Sequence, residues 1–490
     1  MLTRLKVSGF KNLMDVDVRF EPFTCIAGAN GVGKSNLFDA IAFLSALAEK
    51  PLMEAALLVR DEEGRQGDLR SLFHRVGESH DPVMTFEAEM VVSPTAVDDL
   101  GQPAKASITF LHYDLTLAWK PSDTLRATGM LEIQHEELRH INIGDARPQL
   151  RFDFGKEWQG TAITGRRTSP FISTRLEGEK RIIQRHQEGN SGRPQRYAAE
   201  TLTRTVLSAS NAAESPTALV ARREMQSWRL LQLEPSALRK PDAFNAPSRL
   251  GADGAHLPAT LYRLAHRAGS DKEQVYAEVA NRLSELIDDV RRVEVDRDDK
   301  RELLTLMVKD QTGTYHPARA LSDGTLRFLA LAVLERDPET SGLLCLEEPE
   351  NGIHPLRIPA MLRLLQAIAN DTDYPVDQDN PMRQVIVNTH SPAVVQQIPD
   401  KSLVLAQPYS RNQGGQYDRI VRFAALPDTW RTRGEEAAPS VSKGDLLAYL
   451  NPVPSPDHSG DGQAPASAVS SKQRVIDRPD MRQLRLQFED

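Results

Sequence analysis

The segment Gly28-Ala-Asn-Gly-Val-Gly33-Lys34-Ser35 fits the pattern G-x-x-x-x-G-K-[ST]. An apolar run, 23–27, precedes it, and a helical pattern follows. Glycines in such a loop let the backbone curl, so that successive N–H groups point inward at phosphate oxygens. The helix beginning near Lys34 adds its positive N-terminal end. Lys34 reaches the β- and γ-phosphates of a nucleotide, and Ser35 offers a hydroxyl to Mg²⁺.

Three further segments carry polar groups at the ends of apolar runs. Leu343-Leu-Cys-Leu leads into Glu347, Glu348 and Pro349. A carboxylate at a strand end beside a phosphate loop holds Mg²⁺, directly or through water. The next carboxylate polarises the attacking water. Neighbours on a strand point to opposite sides, so the two roles are compatible. Leu321-Ser-Asp-Gly-Thr325 opens a helix, where Ser322 and Gly324 form a second phosphate cradle. One chain does not easily bring both cradles to one nucleotide. Two chains set head to tail do, each nucleotide being clamped between the loop of one and the Ser322 cradle of the other. Val385-Ile-Val-Asn-Thr389 is a strand pattern ending at His390, Ser391 and Pro392. His390 there is placed to hydrogen-bond the γ-phosphate or the attacking water.

The elements that must position these groups follow from periodicity. Leu5, Val7 and Phe10, then Val16, Val18 and Phe20, alternate as half-buried strands about a turn. Leu37, Ile41, Leu44, Leu47 and Ala48 share one helical face. Residues 83–154 read as a β-meander with Pro, Gly and Asp in its turns. Residues 161–240 hold 14 Lys and Arg against 7 Glu and no Asp, a basic window. Its first part, 161–195, reads as a Gly-, Ser-, Arg- and Gln-rich loop, and 197–231 as helical in pieces. Residues 257–268, 272–290 and 326–334 are helical by spacing, while 292–308 returns to strands. No heptad is sustained, so long coiled-coil arms are not expected. Residues 452–471 read as a disordered linker rich in Pro, Ser, Gly, Asp and Ala, with a short docking segment at 481–488.

Composition sets the limits. The chain has 490 residues, 40% hydrophobic and 26% charged, with a formal net charge of −8. That length suggests about three structural units. It supports a folded core and argues against a globally basic nucleic-acid coat. No apolar run reaches the about 18 residues of a membrane span, and the opening lacks a signal-peptide core. Cys25 and Cys345 are the chain's two cysteines, both in apolar runs. They exclude a disulfide framework and a cysteine-built zinc cluster. The expectation is a soluble cytoplasmic protein.

The ordered set 28–35, 321–325, 343–349, Glu350-Asn-Gly-Ile-His-Pro355 and 388–392 resembles an ABC-type P-loop ATPase of the SMC/RecF/OLD class, the branch often called simply AAA family ATPase. The opening Leu5-Lys-Val-Ser-Gly-Phe-Lys-Asn-Leu13 and the segments 228–241 and 250–257 share the likeness, which spans about residues 1–407. The resemblance implies a two-lobed α/β head with a β-meander and a helical, basic insertion. Lobe one would be 1–160, the insertion 161–290, lobe two 291–430, and a mostly flexible tail 431–490. It implies ATP and Mg²⁺ as ligands. Asn30, Gly31, Gly33, Lys34, Ser35 and Asn36 would contact ATP, with Lys11 and Asn12 close by. Glu347 would take the Walker B metal position beside Ser35, Glu348 would be the catalytic base, Asn351 would lie in the D-loop, and His390 would be the switch histidine. Ser322 and Gly324 would bind ATP in trans.

Three departures stand out. Glu347 replaces the usual Asp, Asp323 puts a negative charge into the signature, and the Q-loop glutamine has Gln66 and Gln102 as its candidates.

Four functional readings follow. In the first, ATP-engaged dimers or higher oligomers control a separate effector chain, a Toprim-type nuclease, in antiphage defence or DNA repair. Only about 90 residues follow Pro399, without the Asp-x-Asp strand end of a Toprim domain, so the nuclease is expected on another chain. The second is a RecF-like repair ATPase that contacts DNA through 161–240, including Arg166, Arg167, Arg181, Arg185, Arg193 and Arg196. A transporter ATPase fits poorly. A slow ATP sensor or scaffold is opposed by Glu348 and His390.

Overall fold

The computed structural model describes residues 1–59, 69–121, 129–188, 193–413, 416–434 and 437–450. Its centre is a six-stranded sheet formed by β1 (Phe23–Ala27), β2 (Arg229–Leu231), β3 (Gly342–Glu347), β4 (Arg383–Thr389), β5 (Leu403–Gln413) and β6 (Gln416–Ala425), in the order β2-β3-β4-β1-β5-β6. All neighbours are parallel except β5 and β6. The strands β1, β3 and β4 are buried along nearly their whole length, as parallel strands covered on both faces must be. Cys25 and Cys345 lie in β1 and β3, closed to solvent, and burial pushes both thiols far above the ordinary range.

An antiparallel eight-stranded sheet covers one side. The meander expected over 83–154 supplies Val83–Val91, Phe110–Lys120 and Met130–His140, flanked by the opening strands Leu2–Ser8 and Val16–Arg19. The loop expected over 161–195 differs. The strands Ile172–Glu177, Lys180–Arg185 and Gln195–Ala198 extend the sheet to its far edge. Ile172 and Ile183 point into the core while Arg175 and Lys180 face water. So few apolar residues suffice at an edge that the Arg- and Ser-rich composition hides the alternation.

Helix α1 (Lys34–Leu47) lies between the two sheets. Its Phe43 packs on Phe10 and Phe86 with ring centroids 5.8 Å away from each, tying α1 to both the opening and the meander. Each fully buried Phe contributes about 1.5–3 kcal/mol. Behind this layer Glu136, fully buried, accepts the N–H groups of Val206 and Leu207 at 2.8 Å and the hydroxyl of Tyr113 at 3.2 Å. Burial outweighs these donors and pushes its carboxyl up to about 7.

The other face of the central sheet packs against α2 (Asp323–Arg336), the helices Leu257–Ala265, Lys272–Ser284 and Ile358–Ile368, and a small sheet around Val290–Asp298 and Leu303–Asp310. From Gly324 to Leu334 nearly every residue of α2 is buried, the mark of a helix inside a core. The helix Lys443–Leu450 adds Leu446, Tyr449 and Leu450 to this layer. The linker and docking segment read from 452–488 lie outside the described residues.

Candidate active site

β1, β3 and β4 run in register, Glu347 opposite Asn388 and Thr389 opposite Ala27, so their carboxyl ends reach one level. Loops leaving that edge converge, as ligand sites of parallel sheets do. They enclose a cleft of about 630 Å³. Asn12, Asn30, Gly31, Gly33, Lys34, Ser35 and Asn36 line one wall, and Glu347, Glu348, Asn351 and Asn388 another. Thus the sequence-predicted phosphate loop and carboxylate strand meet.

The loop is held by short-range contacts. Gly33 caps α1 at φ 114°, where a side chain is strained, and a Cβ there would lie 2.4 Å from Asn12 Nδ2. Asn12 donates to Val32 O at 2.9 Å and accepts from Asn36 Nδ2 at 2.7 Å. Lys34 Nζ donates to the carbonyls of Gly28 and Ala29 at 2.7 and 2.8 Å. Burial draws the Lys34 ammonium below its ordinary pKa against the pull of Glu348, Glu350 and Glu347. Lys11 turns to Asp39 of α1 at 2.9 Å and is not a lining residue.

Glu348 sits just past β3 at φ 45°. Its N–H donates to Asn388 O at 3.0 Å. Oε2 accepts from Asn351 Nδ2 at 2.8 Å, and Oε1 lies 2.7 Å from His390 Nδ1. Burial pulls this carboxyl upward, but the bonds from Asn351 and His390 and the nearby Lys34 prevail and hold it below the ordinary Glu value. An ionised carboxylate only accepts, which puts the proton on Nδ1 of His390. A carboxylate held ionised at the edge of such a cleft can take a proton from water.

The donor set suits Mg²⁺. Ser35 and Glu347 both line the cleft, one hydroxyl and one carboxylate, and no cluster of three or more His, Cys, Asp or Glu ligands occurs among the described residues. Mg²⁺ bound with phosphates uses one or two protein oxygens rather than a full protein cage.

Ser322 and Gly324 do not line this cleft. Ser322 caps α2, its Oγ accepting from Thr325 N at 3.2 Å. Gly324 packs so closely on Gly352 that a Cβ would lie 2.2 Å from the Gly352 carbonyl oxygen. Asp323 pairs with Arg239, which also donates to Leu321 O at 3.2 Å.

Among the lining residues, Gln232 and Arg327 are polar groups that escape the sequence reading. Gln232 follows β2, beside the carboxylate strand, and lines the cleft. Gln102 instead sits in a turn where its N–H donates to Asp98, and Gln66 lies outside the described residues. The signal that was available is the short run Leu230-Leu231 before Gln232, within the segment 228–241. Arg327 of α2 also lines the cleft, donating to Asn351 O at 2.8 Å and Leu233 O at 3.0 Å.

The family model described as "AAA domain, putative AbiEii toxin, Type IV TA system" matches residues 23–97 and 138–396. The "DNA replication and repair protein RecF" of Synechococcus sp. (strain JA-2-3B'a(2-13)) is 33% identical over 88 residues, 18% of this chain and 23% of that protein, so the match spans under a quarter of the relative's length. Among solved structures, the SmcHead bound to the C-winged helix domain of ScpA is 13% identical, with a TM-score of 0.43, covering 87% of this chain and 98% of that chain. The SMC head domain from Thermotoga maritima is 13% identical, with a TM-score of 0.36 and the same coverage. From the phosphate loop, the carboxylate strand and the family match, the chain belongs to the AAA-domain family of AbiEii type, an ABC-type P-loop ATPase of the SMC/RecF class.

Proposed function

We propose that this chain binds and hydrolyses ATP and that two copies engage head to tail on the nucleotide to control a separate effector chain, a nuclease, in antiphage defence or DNA repair. The carrying observation is the cleft in which the phosphate loop faces Glu348, whose two oxygens are held by Asn351 and His390. Lys34 exchanges its loop carbonyls for β- and γ-phosphate oxygens, and the loop's N–H groups cradle the same phosphates. Gln232 and Arg327 also line the cleft, and Lys11 braces α1 behind the loop through Asp39. Glu348 takes a proton from water as its oxygen bonds the γ-phosphorus. The bond from that phosphorus to the β–γ bridging oxygen breaks, and ADP leaves with the electron pair. His390 orients Glu348 and the water. Ser35 and Glu347 would hold Mg²⁺, which when bound would supply charge neutralisation at the phosphates. Ser322 and Gly324 of one copy meet the nucleotide of the other.

The family description's toxin and toxin–antitoxin vocabulary supports the defence reading. No described helix is long and apolar enough to cross a membrane; a cytoplasmic site of action is part of the proposal. A division into two lobes with an insertion remains part of the proposal, but the strands within 172–198 belong to the sheet of lobe one, so its boundary lies beyond 160.

A second reading, direct DNA contact through 161–240, is favoured by the RecF likeness and by a cleft where Arg166 and Arg167 lie beside Thr168 and Ser169. It is weakened by pairing: Arg185, Arg196 and both Arg222 and Arg223 are matched by Glu214, Glu177 and Asp99.

Phosphate release and light-scattering mass with and without Mg-ATP test the main reading. Glu348→Gln is expected to lose turnover by at least about 100-fold and to gain mass with ATP. Parental turnover in this variant would refute the site. An ATP-bound protein of unchanged monomeric mass would refute head-to-tail engagement. A mass or affinity response to DNA that falls steeply with salt would favour the second reading.

A further inference from the structure

We propose that Glu350 is a positioning residue that acts through Thr389 to fasten together the two loops holding Glu348; this rests on the reading of Glu348 as the base. Glu350 and Thr389 are 8% and 0% exposed. The Thr389 hydroxyl donates to Glu350 Oε1. With its proton so committed, Thr389 Oγ1 accepts the N–H of Ser391 at 2.9 Å. Thr389 and Ser391 bracket His390, whose Nδ1 lies 2.7 Å from Glu348 Oε1. On the other loop Glu350 directly precedes Asn351, which donates to Glu348 Oε2 at 2.8 Å. One buried bond therefore joins the residues that directly precede the two clamps, His390 and Asn351, and each oxygen of Glu348 is set by a residue adjacent to that bond.

The second oxygen supports a role beyond the fold. Glu350 Oε2 is buried without a hydrogen-bond partner on another described residue. Burial raises this carboxyl above the ordinary Glu value although Thr389 and its own N–H bond it, a cost that an apolar side chain of that size would not carry. Glu350 lies at a site where orientation sets rate. Misplacing a reacting group by about 1 Å can cost on the order of 100-fold in rate, while nucleotide affinity comes from the loop and is untouched.

The test uses the full chain and steady-state ATP turnover. Thr389→Val keeps the shape and removes the hydroxyl. It is expected to lower kcat about tenfold with KM for ATP within about twofold, and Thr389→Ser to recover most of that loss. Glu350→Gln keeps one acceptor oxygen and is expected to fall between parent and Thr389→Val, again in kcat alone; it decides the matter if Thr389→Val does not fold. Parental kcat in the folded variants, a matching rise in KM, or failure of Thr389→Ser to recover would overturn the inference. Glu348→Gln run in parallel separates the two layers. If it turns over like the parent, the reading of the base fails. If it is inactive while Thr389→Val and Glu350→Gln match the parent, this inference alone fails.

Discussion

Glu348 and Asn388 share two contacts: the N–H of Glu348 donates to the Asn388 carbonyl at 3.0 Å and meets its side-chain Oδ1 at 3.2 Å. That double grip fixes a glutamate at φ 45°, a conformation that costs of order 1 kcal/mol for a non-glycine residue. The strain persists because β3 and β4 are hydrogen-bonded neighbours, and it turns the carboxylate out of the strand line toward Asn351 and His390. On the proposed reading, the base is thus oriented before substrate arrives, the arrangement by which enzymes avoid reorganisation during the reaction.

The depressed carboxyl of Glu348 has a pH signature. A base held below the ordinary Glu value stays ionised as pH falls through that value, so the acid limb of kcat lies below it. Asn351→Ala removes a donor to the charged form and moves the pKa up. The acid limb of the variant is expected at higher pH than that of the parent, read from a pH–rate profile. A limb that stays in place would show that Asn351 does not tune the base.

Gly33→Ala tests the loop. The added methyl meets the Asn12 amide at a backbone angle that L side chains rarely adopt. The expected result is loss of nucleotide binding and a destabilisation of about 1–3 kcal/mol, measured by fluorescent nucleotide titration and chemical denaturation.

Glu136 gives stability its own pH dependence. Its folded pKa of about 7 exceeds the unfolded value, so the folded chain holds this proton more tightly. Its contribution is full below the unfolded pKa, about 4.3, and is lost as pH rises through 7. Relative to Glu136→Gln, the parent is expected to lose up to about 4 kcal/mol between these limits. Denaturation midpoints of both proteins at pH 5 and pH 8 check the sign: the parent's advantage must shrink at pH 8.

Arg239 and Asp323 are partly exposed, so their pair is worth about 0–1 kcal/mol to the fold. Its weight falls on assembly. Arg239→Ala leaves the signature with an unneutralised carboxylate, and in the Glu348→Gln background it is expected to weaken ATP-dependent gain of mass while barely moving the melting temperature. Removing Asp323 as well, by Asp323→Gly, is expected to restore it. Light scattering over a protein concentration series reads both.

The parts of the site legible in the sequence are those whose chemistry is local. Gly28 to Ser35 makes its cradle from consecutive residues, and Glu347, Glu348 and His390 stand at the ends of apolar runs that could only be buried strands. Gln232 was hidden because the strand before it, β2, has three residues and shows no period. Asp323 reads as an exposed charge until the fold brings Arg239 to it from 84 residues away. The Glu350–Thr389 bond depends on the β3–β4 register, which no single segment encodes. The edge strands within 172–198 bury too few side chains to announce themselves.

Cys25 and Cys345 open a practical route into these questions. Both thiols are sealed in the central sheet and hard to ionise, so neither offers a thiolate to reagents in water. The chain has no other cysteine. A single cysteine placed on the surface is therefore the accessible thiol that a maleimide or a thiol-reactive bifunctional crosslinker meets on the native protein. Dyes and covalent bridges can be sited at chosen positions without first stripping out the native sulfhydryls.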